Sequence, residues 1–161
     1  MESDGRASTL VIGVGNWYRS DDAAGLVVAR NLKAMNLPGV LVREESGEGA
    51  ALMEAWKDAV NVIIVDAASS GSPPGTIHKL DPHVQSIPSS FFHYSSHAFS
   101  VAEAIELARV LGQLPQRLLI YAIEGKDFSA GVRLSTEVQG ATDEVTGLIA
   151  RQLSIADQVV V

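Results

Sequence analysis

Short apolar runs alternate along the chain with segments whose apolar residues recur every three or four positions. The short runs, such as TLVIGV and NVIIVDA, are rich in β-branched residues and stop at glycine or an acid, which is typical of strands. They predict strands at residues 9–14, 40–45, 61–67, 76–80 and 117–125. After the turn GSPPG, we expect the strand at 76–80 to return beside the strand at 61–67.

The segments between these strands have the apolar spacing of amphipathic helices. They predict helices from residue 21 to about 35, at 50–57, from 100 to 112 and from about 135 to 153. Ser100 and Glu103 form the S-x-x-E pattern of a capping box, which places the start of the third helix. Residues 81–97 have no clear period and predict a long surface loop, and loops of this length are usually functional or mobile.

The alternation of strands and helices predicts an α/β fold. We expect a three-layer sandwich in which a twisted, mostly parallel sheet has helices on both faces. The run NVIIVDA is apolar until Asp66, as expected for a strand buried on both faces. With 161 residues, 47% of them hydrophobic, the chain is long enough for one continuous core and too short to expect two. We therefore predict a single domain over residues 1–161, with residues 1–8 flexible.

The composition excludes several classes of function. The 12 basic and 19 acidic residues give a net charge of -7, without a Lys/Arg cluster, so nucleic acid is not an expected partner. The chain has no cysteine, which excludes disulfides, thiol catalysis and metal sites built on thiolates. The polar N-terminus and the lack of an apolar stretch of membrane length predict a cytoplasmic protein that does not cross a membrane.

The segment GVGNWYRSDDAAG, residues 13–25, joins a glycine-rich turn to two adjacent aspartates. Such a turn after a strand usually presents backbone amides to an anionic phosphate, but carboxylates repel phosphate. The dinucleotide fingerprint G-x-G-x-x-G also requires glycine where Tyr18 stands. The pattern instead favours a bound cation, or an amide under attack, as the ligand of these acids.

Separate chain segments bring acids and a histidine to one edge of the predicted sheet. Asp21 and Asp22 follow the first strand, Asp66 ends the third, and His97 precedes a helix. Open α/β sheets bind ligands outside the carboxyl ends of their strands. Asp, Asp and His form an oxygen and nitrogen ligand set for a divalent cation such as nickel or zinc, with positions left open for a substrate.

Each of these residues also has a structural alternative. Asp21 or Asp22 could cap the helix that it opens. Asp66 could accept backbone amides of the SSG turn behind it, and His97 could bond to a neighbouring carbonyl. Serines are plentiful near residue 90, but no G-x-S-x-G elbow occurs, so catalysis by a serine nucleophile is not supported.

Four blocks of the chain occur in a characteristic order: GVGNWYRSDDAAG, IIVDAASSGSPPGTI, SSHAFSVAEAIELARVLGQLP and IYAIEGKDFSAGVRLSTEV. Over about residues 10–153 they resemble the signature blocks of the hydrogenase maturation endopeptidases of the HycI/HyaD type. The resemblance implies a phosphorylase/hydrolase-like sandwich. It also implies a nickel-dependent endopeptidase that removes a short C-terminal extension from the precursor of a [NiFe]-hydrogenase large subunit, its partner, after nickel insertion.

The same resemblance implies the roles of individual residues. Asp22, Asp66 and His97 match the catalytic, nickel-contacting positions of the family. The Ni²⁺ ion is expected to be carried by the substrate, and Zn²⁺ or Cd²⁺ could substitute in vitro. Two alternative functions are considered. The first is a nickel-checking chaperone of hydrogenase assembly that does not cleave its client. The second is a peptidyl-tRNA hydrolase, but the net charge of -7 argues against binding to tRNA.

The resemblance also accounts for the opening turn. Gly13 and Gly15 are expected to let the chain turn sharply, and Asn16 to tie the turn by side-chain hydrogen bonds. Asp22 is then aimed at a metal, and Asp21 is the helix-capping member of the pair. The segment WYRS before Asp21 is bulkier than the small or proline-containing segments common in the family.

Overall fold

The computed structural model describes residues 8–92 and 99–159. The strands are β1 (Thr9–Val14), β2 (Val40–Glu45), β3 (Asn61–Ala68), β4 (Ile77–Leu80) and β5 (Arg117–Glu124). The α-helices are α1 (Ala24–Ala34), α2 (Gly49–Trp56), α3 (Val101–Val110) and α4 (Thr136–Val159), and a 3₁₀ turn (Ser20–Ala23) precedes α1. His97 lies outside the described residues, as do residues 1–7 of the segment predicted to be flexible.

The five strands of the described residues form one sheet in the order β2-β1-β3-β5-β4. Strand β1 pairs in parallel with β2 and β3, and β3 pairs in parallel with β5. Only β4 among these strands runs antiparallel to its neighbour, β5. The predicted mostly parallel sheet is confirmed, and β1, β3 and β5 all end at one carboxyl edge.

The predicted neighbour of β4 is wrong. Strand β4 pairs with β5, from Ile77 opposite Ile123 to Leu80 opposite Ile120, and not with β3. The reason is that β3 pairs with β5 along its whole length on one side and with β1 from Asn61 to Val65 on the other. Both edges of β3 are therefore occupied, and the outer edge of β5 accepts the short returning strand.

Helices cover both faces of the sheet, which confirms the three-layer α/β sandwich. One face packs against α1 and α4 in a buried cluster that includes Val28, Ile63, Val65 and Val145. The other face packs against α2 and α3 in a cluster that includes Leu52, Ile64, Ile105 and Ile120. Because successive side chains of a strand point to opposite faces, the continuous apolar run of β3 supplies both clusters.

The predicted surface loop after β4 is only partly at the surface. Within its described part, Ile87 and Phe92 are buried against α2 and α3, so the expectation is wrong for these two residues. The loop is also bonded to α3, because the Arg109 guanidinium donates to the carbonyl oxygens of Pro82 and Gln85. The loop thus belongs to the core on the same face of the sheet as α3.

Helix α4 covers 24 residues and continues beyond the predicted end at residue 153. Its buried side chains Val138, Val145 and Ile149 face the sheet. Among the helices of the described ranges, none combines the length and the apolar character needed to cross a membrane.

Helix α1 lies unusually close to the sheet at Gly25. A methyl group on Gly25 would lie 2.1 Å from the carbonyl oxygen of Val65 and 2.6 Å from that of Val14. The substitution Gly25→Ala must therefore move α1 away from the sheet. We expect it to lower the free energy of unfolding by more than about 2 kcal/mol, measured by urea titration.

A matched control for this prediction is Gly140→Ala on α4. Nothing lies within 4 Å of a methyl group added there, and the position is helical and exposed. We expect this change to raise the free energy of unfolding by roughly 0.5–1 kcal/mol. A Gly25→Ala protein as stable as the unsubstituted chain would contradict the close approach of α1 to the sheet.

Candidate functional site

The turn after β1 folds the chain back onto itself. Gly15 has φ of 155°, and a methyl group there would lie 2.0 Å from the carbonyl oxygen of Asp22. The side-chain oxygen of Asn16 accepts a hydrogen bond from the backbone N–H of Tyr18 at 2.9 Å. Glycine at this position therefore permits the contact that sets the half-buried Asp22 beside the carboxyl end of β1.

Asp66 lies within β3 and is almost completely buried, with 7% of its surface exposed. Its position in the strand places its side chain on the same face as Ile64 and Ala68, which belong to the cluster under α2 and α3. One carboxylate oxygen accepts a hydrogen bond from the backbone N–H of Ala67 at 2.7 Å. A charged side chain in this apolar setting is costly unless further donors or a cation compensate it.

The electrostatics connect Asp66 with Asp22. Burial raises the pKa of Asp66 well above its usual value, and the negative charge of Asp22 raises it further. The hydrogen bond from Ala67 acts in the opposite direction but is the smallest of the three effects. Asp22 and Asp66 therefore interact as two like charges at the carboxyl edge, an arrangement that a cation would stabilise.

The structural alternative for Asp66 is wrong, because another acid takes that role. Glu124, at the end of β5, accepts the backbone N–H groups of Ser70 and Gly71 at 2.7 and 2.9 Å. Its second oxygen accepts the Ser70 hydroxyl at 3.0 Å. Glu124 thus holds the SSG turn, and Asp66 is left without these donors.

Sequence reasoning missed Glu124, although the signal was present. Glu124 ends an apolar strand in the run RLLIYAIEG, in the same way that Asp66 follows the apolar residues of β3. The residue is 2% exposed. Its carboxylate also lies 3.4 Å from His78 Nε2 on β4, the strand that pairs with β5.

The expected capping role of Asp21 is also wrong. Its side chain makes no capping bond to the 3₁₀ turn or to α1. Instead, one carboxylate oxygen accepts the backbone N–H groups of Lys126 and Asp127 at 2.8 and 2.9 Å, and the Ser135 hydroxyl at 2.9 Å. The other oxygen accepts the Ser135 N–H at 2.7 Å. Asp21 therefore joins the loop after β5 to the start of α4.

Further bonds join this loop to the opening turn. The backbone N–H of Gly131 donates to the carbonyl oxygen of Tyr18, and the carbonyl oxygen of Gly131 accepts from the backbone N–H of Ser20, both at 3.0 Å. The Ser20 hydroxyl donates to the carbonyl of Ser129 at 2.8 Å. The segment that carries Asp22 is thus held against the loop after β5 by bonds on both sides, which fixes the position of the site turn.

Two of the three predicted ligands lie in the described part of the chain, and the third does not. Asp22 and Asp66 lie at the carboxyl edge, whereas His97 lies outside the described residues. Within residues 8–92 and 99–159, no cluster of three or more His, Cys, Asp or Glu side chains is arranged to hold a metal ion. The described part of the site is therefore a carboxylate pair that requires a further ligand to bind a cation.

Comparison with known proteins identifies relatives over most of the chain. The family described as HycI, hydrogenase maturation protease, matches residues 27–152. A protein of Methanocaldococcus jannaschii named as a candidate hydrogenase maturation protease is 30% identical over 153 residues. That match covers 89% of this chain and 95% of the relative. The residues matched by the family include Asp66 and His97, and Asp22 precedes them.

Two solved structures share the fold. The [NiFe] hydrogenase maturation protease HycI of Thermococcus kodakarensis has a TM-score of 0.70 at 24% identity, over 94% of this chain and 95% of that one. The hydrogenase maturating endopeptidase HybD of Escherichia coli has a TM-score of 0.72 at 21% identity, over 92% and 93% of the two chains. Because the family match and the Methanocaldococcus relative extend over most of its length, the chain belongs to the HycI family of hydrogenase maturation proteases.

Proposed function

We propose that this chain is a nickel-dependent cytoplasmic endopeptidase that removes the C-terminal extension from the precursor of a [NiFe]-hydrogenase large subunit after nickel has been inserted. The observation that carries this proposal is the carboxylate pair at the carboxyl edge, where burial and Asp22 together raise the pKa of Asp66. Membership of a protease family supports the reaction class. The relative in Thermococcus kodakarensis, named as a [NiFe] hydrogenase maturation protease, supports the class of substrate.

The electrostatics of the pair support a cation as its ligand. A buried carboxylate beside a second negative charge is costly to ionise, and a divalent cation compensates both effects. In this proposal, Asp22 and Asp66 supply oxygen ligands and His97 supplies an imidazole nitrogen. Imidazole and carboxylate ligands suit nickel, and Zn²⁺ or Cd²⁺ would substitute in vitro.

The ligand set leaves positions for the substrate. Nickel that is already bound in the precursor would complete its coordination with the three side chains, so that only a loaded precursor docks correctly. Asp66 must lose its proton to bind the ion, because a carboxylate is the ligand and a carboxylic acid is not. Nickel at this place can also polarise the scissile carbonyl or activate water, a role that is separable from recognition.

The scaffold around the ligands supports a fixed arrangement. Asp21 and Ser20 bond the turn that carries Asp22 to the loop after β5, and Glu124 holds the turn that follows Asp66. The segments that carry Asp22 and Asp66 are therefore positioned before a substrate arrives. Such preorganisation lowers the cost of bringing a metal and a peptide bond together.

The test is incubation of the purified protein with a large-subunit precursor prepared with and without nickel. We expect mass spectrometry to show a shortened product only from the loaded precursor. The variant His97→Ala is expected to abolish this processing and to leave the thermal unfolding curve unchanged. The control is His83→Ala. His83 Nε2 lies 2.8 Å from the carbonyl oxygen of Pro115, which precedes β5 and is therefore at the amino end of that strand, away from the site.

Each outcome has one consequence. Normal processing by His97→Ala would remove His97 from the site. A nickel-loaded precursor that the unsubstituted protein binds but does not shorten would indicate the nickel-checking chaperone instead. Membership of a protease family leaves the peptidyl-tRNA hydrolase alternative without support.

A further inference from the structure

A patch of aromatic, apolar and basic side chains lies next to the site turn, and all of its members except the half-buried Trp17 are exposed. Its members, which we call the rim patch, are Trp17, Tyr18, Arg19, Val132 and Arg133. They come from two segments that are far apart in sequence. A parallel β-bridge between Arg19 and Gly131 and the bond from Gly131 N–H to the Tyr18 carbonyl, at 3.0 Å, hold these segments side by side.

Tyr18 and Val132, the large side chains of the rim patch other than Trp17 and the arginines, are mostly exposed. Tyr18 is 73% exposed and Val132 is 77% exposed. Both belong to segments whose backbone is held by hydrogen bonds, so their exposure is a stable feature of the fold. Exposed aromatic and apolar side chains grouped on a rigid surface are typical of a binding site for another protein or peptide.

The two arginines of the rim patch are available for a ligand. Arg19 and Arg133 are exposed, and neither guanidinium has a hydrogen-bond or ion-pair partner in residues 8–92 and 99–159. Arg30 provides the contrast, because its guanidinium is bound to Glu44 at 3.3 Å and stacks on Trp17 at 4.1 Å from the ring centre. Two exposed guanidinium groups in one patch provide positive charge for an anionic group of a partner, on a chain whose net charge is -7.

Trp17 is held in place for contact with a partner. Its indole N–H donates to Glu44 at 3.0 Å, and the stacked Arg30 guanidinium covers the ring. The half-buried side chain therefore loses little conformational freedom when a ligand binds. Tryptophan, tyrosine and arginine are the residues that contribute most often to binding energy at interfaces.

The rim patch is continuous with the proposed catalytic site. The backbone N–H of Asp22 donates to the carbonyl oxygen of Arg19 at 3.1 Å, within the same turn. A peptide bound at Asp22 and Asp66 would therefore reach the patch within a few residues, since an extended chain spans roughly 3.3 Å per residue. The patch is therefore within reach of a peptide that is bound at the proposed catalytic site.

We propose that the rim patch binds the end of the precursor's C-terminal extension. Its terminal α-carboxylate binds Arg19 and Arg133, and an apolar side chain near that end packs on Tyr18 and Val132. This inference rests on the proposed function. The α-carboxylate is the anion that every C-terminal extension carries, whatever its sequence, and guanidinium groups bind carboxylates through charge-assisted hydrogen bonds.

The experiment compares two synthetic peptides of the extension of a [NiFe]-hydrogenase large-subunit precursor from the same organism. One peptide ends in the free acid and the other in an amide, and each carries a fluorescent label at its N-terminus. We expect fluorescence anisotropy to show about three- to tenfold weaker binding of the amide. High salt should weaken binding of the acid more than binding of the amide.

Variants locate this preference on the protein. The double variant Arg19→Gln, Arg133→Gln is expected to bind the acid as weakly as the amide and to show no preference between them. The control is Arg117→Gln, because Arg117 is exposed at the amino end of β5, across the sheet from the rim patch. Val132→Ser should weaken the binding of both peptides. Val110→Ser, which changes a valine that is 82% exposed on α3, should weaken the binding of neither.

Several results would overturn the inference. Equal binding of acid and amide by the unsubstituted protein excludes recognition of the α-carboxylate. Loss of affinity in the double variant without an effect of amidation would assign the arginines to an acidic side chain of the extension instead. These measurements require no cleavage, so a failure of processing contradicts the proposed function separately from the binding result.

Discussion

Replacing Asp66 with Asn is expected to reduce processing of the nickel-loaded precursor by more than about 100-fold. In the proposed function Asp66 binds the ion directly, and loss of a direct ligand costs more activity than loss of a residue that only supports a ligand. The same change should make the metal-free protein more stable at neutral pH. Asn is neutral and close to Asp in shape, so it removes the cost of ionising a buried carboxylate beside Asp22. Loss of activity together with a gain in stability is the signature of a functional residue.

The direction of the pH dependence follows from the raised pKa of Asp66. Its usual value is 3.8, and burial and the charge of Asp22 place the folded-state pKa well above it. The contribution of Asp66 to stability is therefore fully present below its unfolded-state pKa and is lost as the pH rises through the folded-state pKa. Urea titrations between about pH 4 and pH 8 should show a loss that Asp66→Asn lacks.

The control for this prediction is Asp58→Asn. Asp58 is exposed and lies shortly before β3, at the amino edge of the sheet, so the change should affect neither processing nor the pH dependence of stability. Processing by Asp66→Asn at the rate of the unsubstituted protein would remove Asp66 from the site. An unchanged pH dependence would contradict the burial of its charge.

The change Asp21→Ala is expected to cost about 3–5 kcal/mol of unfolding free energy. Asp21 is fully buried, and its carboxylate accepts four hydrogen bonds, from Lys126, Asp127 and Ser135. Alanine leaves these donors without an acceptor and separates the loop after β5 from the site turn. For a chain of this size, the melting temperature should fall by roughly 10 °C, measured by calorimetry.

The matched control is Asp127→Ala in the same loop. The Asp127 carboxylate accepts two hydrogen bonds from Ser129, at 2.9 and 2.6 Å, but the residue is exposed. Water can replace those bonds, so the melting temperature should change much less than for Asp21→Ala. Equal effects of the two substitutions would contradict the role of Asp21 in joining the loop to the turn.

The elements of the fold could be predicted closely because their signals are local. Strands β1 and β2 begin and end at the predicted residues, and β3 and β5 differ from the prediction by one residue at the C-terminal end. Helix α3 begins directly after Ser100, which donates from its backbone N–H and its hydroxyl to the Glu103 carboxylate. Apolar period, glycine stops and caps act between residues close in sequence, so the sequence displays them.

The partner of β4 could not be predicted, because it depends on competition between distant strands. The local sequence of β4 contains no information on whether the edge of β3 is already paired with β5. The buried positions of Ile87 and Phe92 have the same origin. Ile87 and Phe92 are buried by helices that come before and after them in the chain. In an irregular segment the apolar residues have no regular spacing from which burial could be predicted.

The sequence by itself determined which residues reach the carboxyl edge of the sheet, because strand ends and turn glycines place Asp21, Asp22 and Asp66 there. Only the tertiary structure decided what each acid does. The donors to Asp21 lie 105 to 114 residues further along the chain, and those to Glu124 lie 53 and 54 residues before it. The fold brings these distant donors to Asp21 and Glu124 and so makes both of them structural acceptors, whereas the donor to Asp66 in the described part of the chain is its neighbour Ala67.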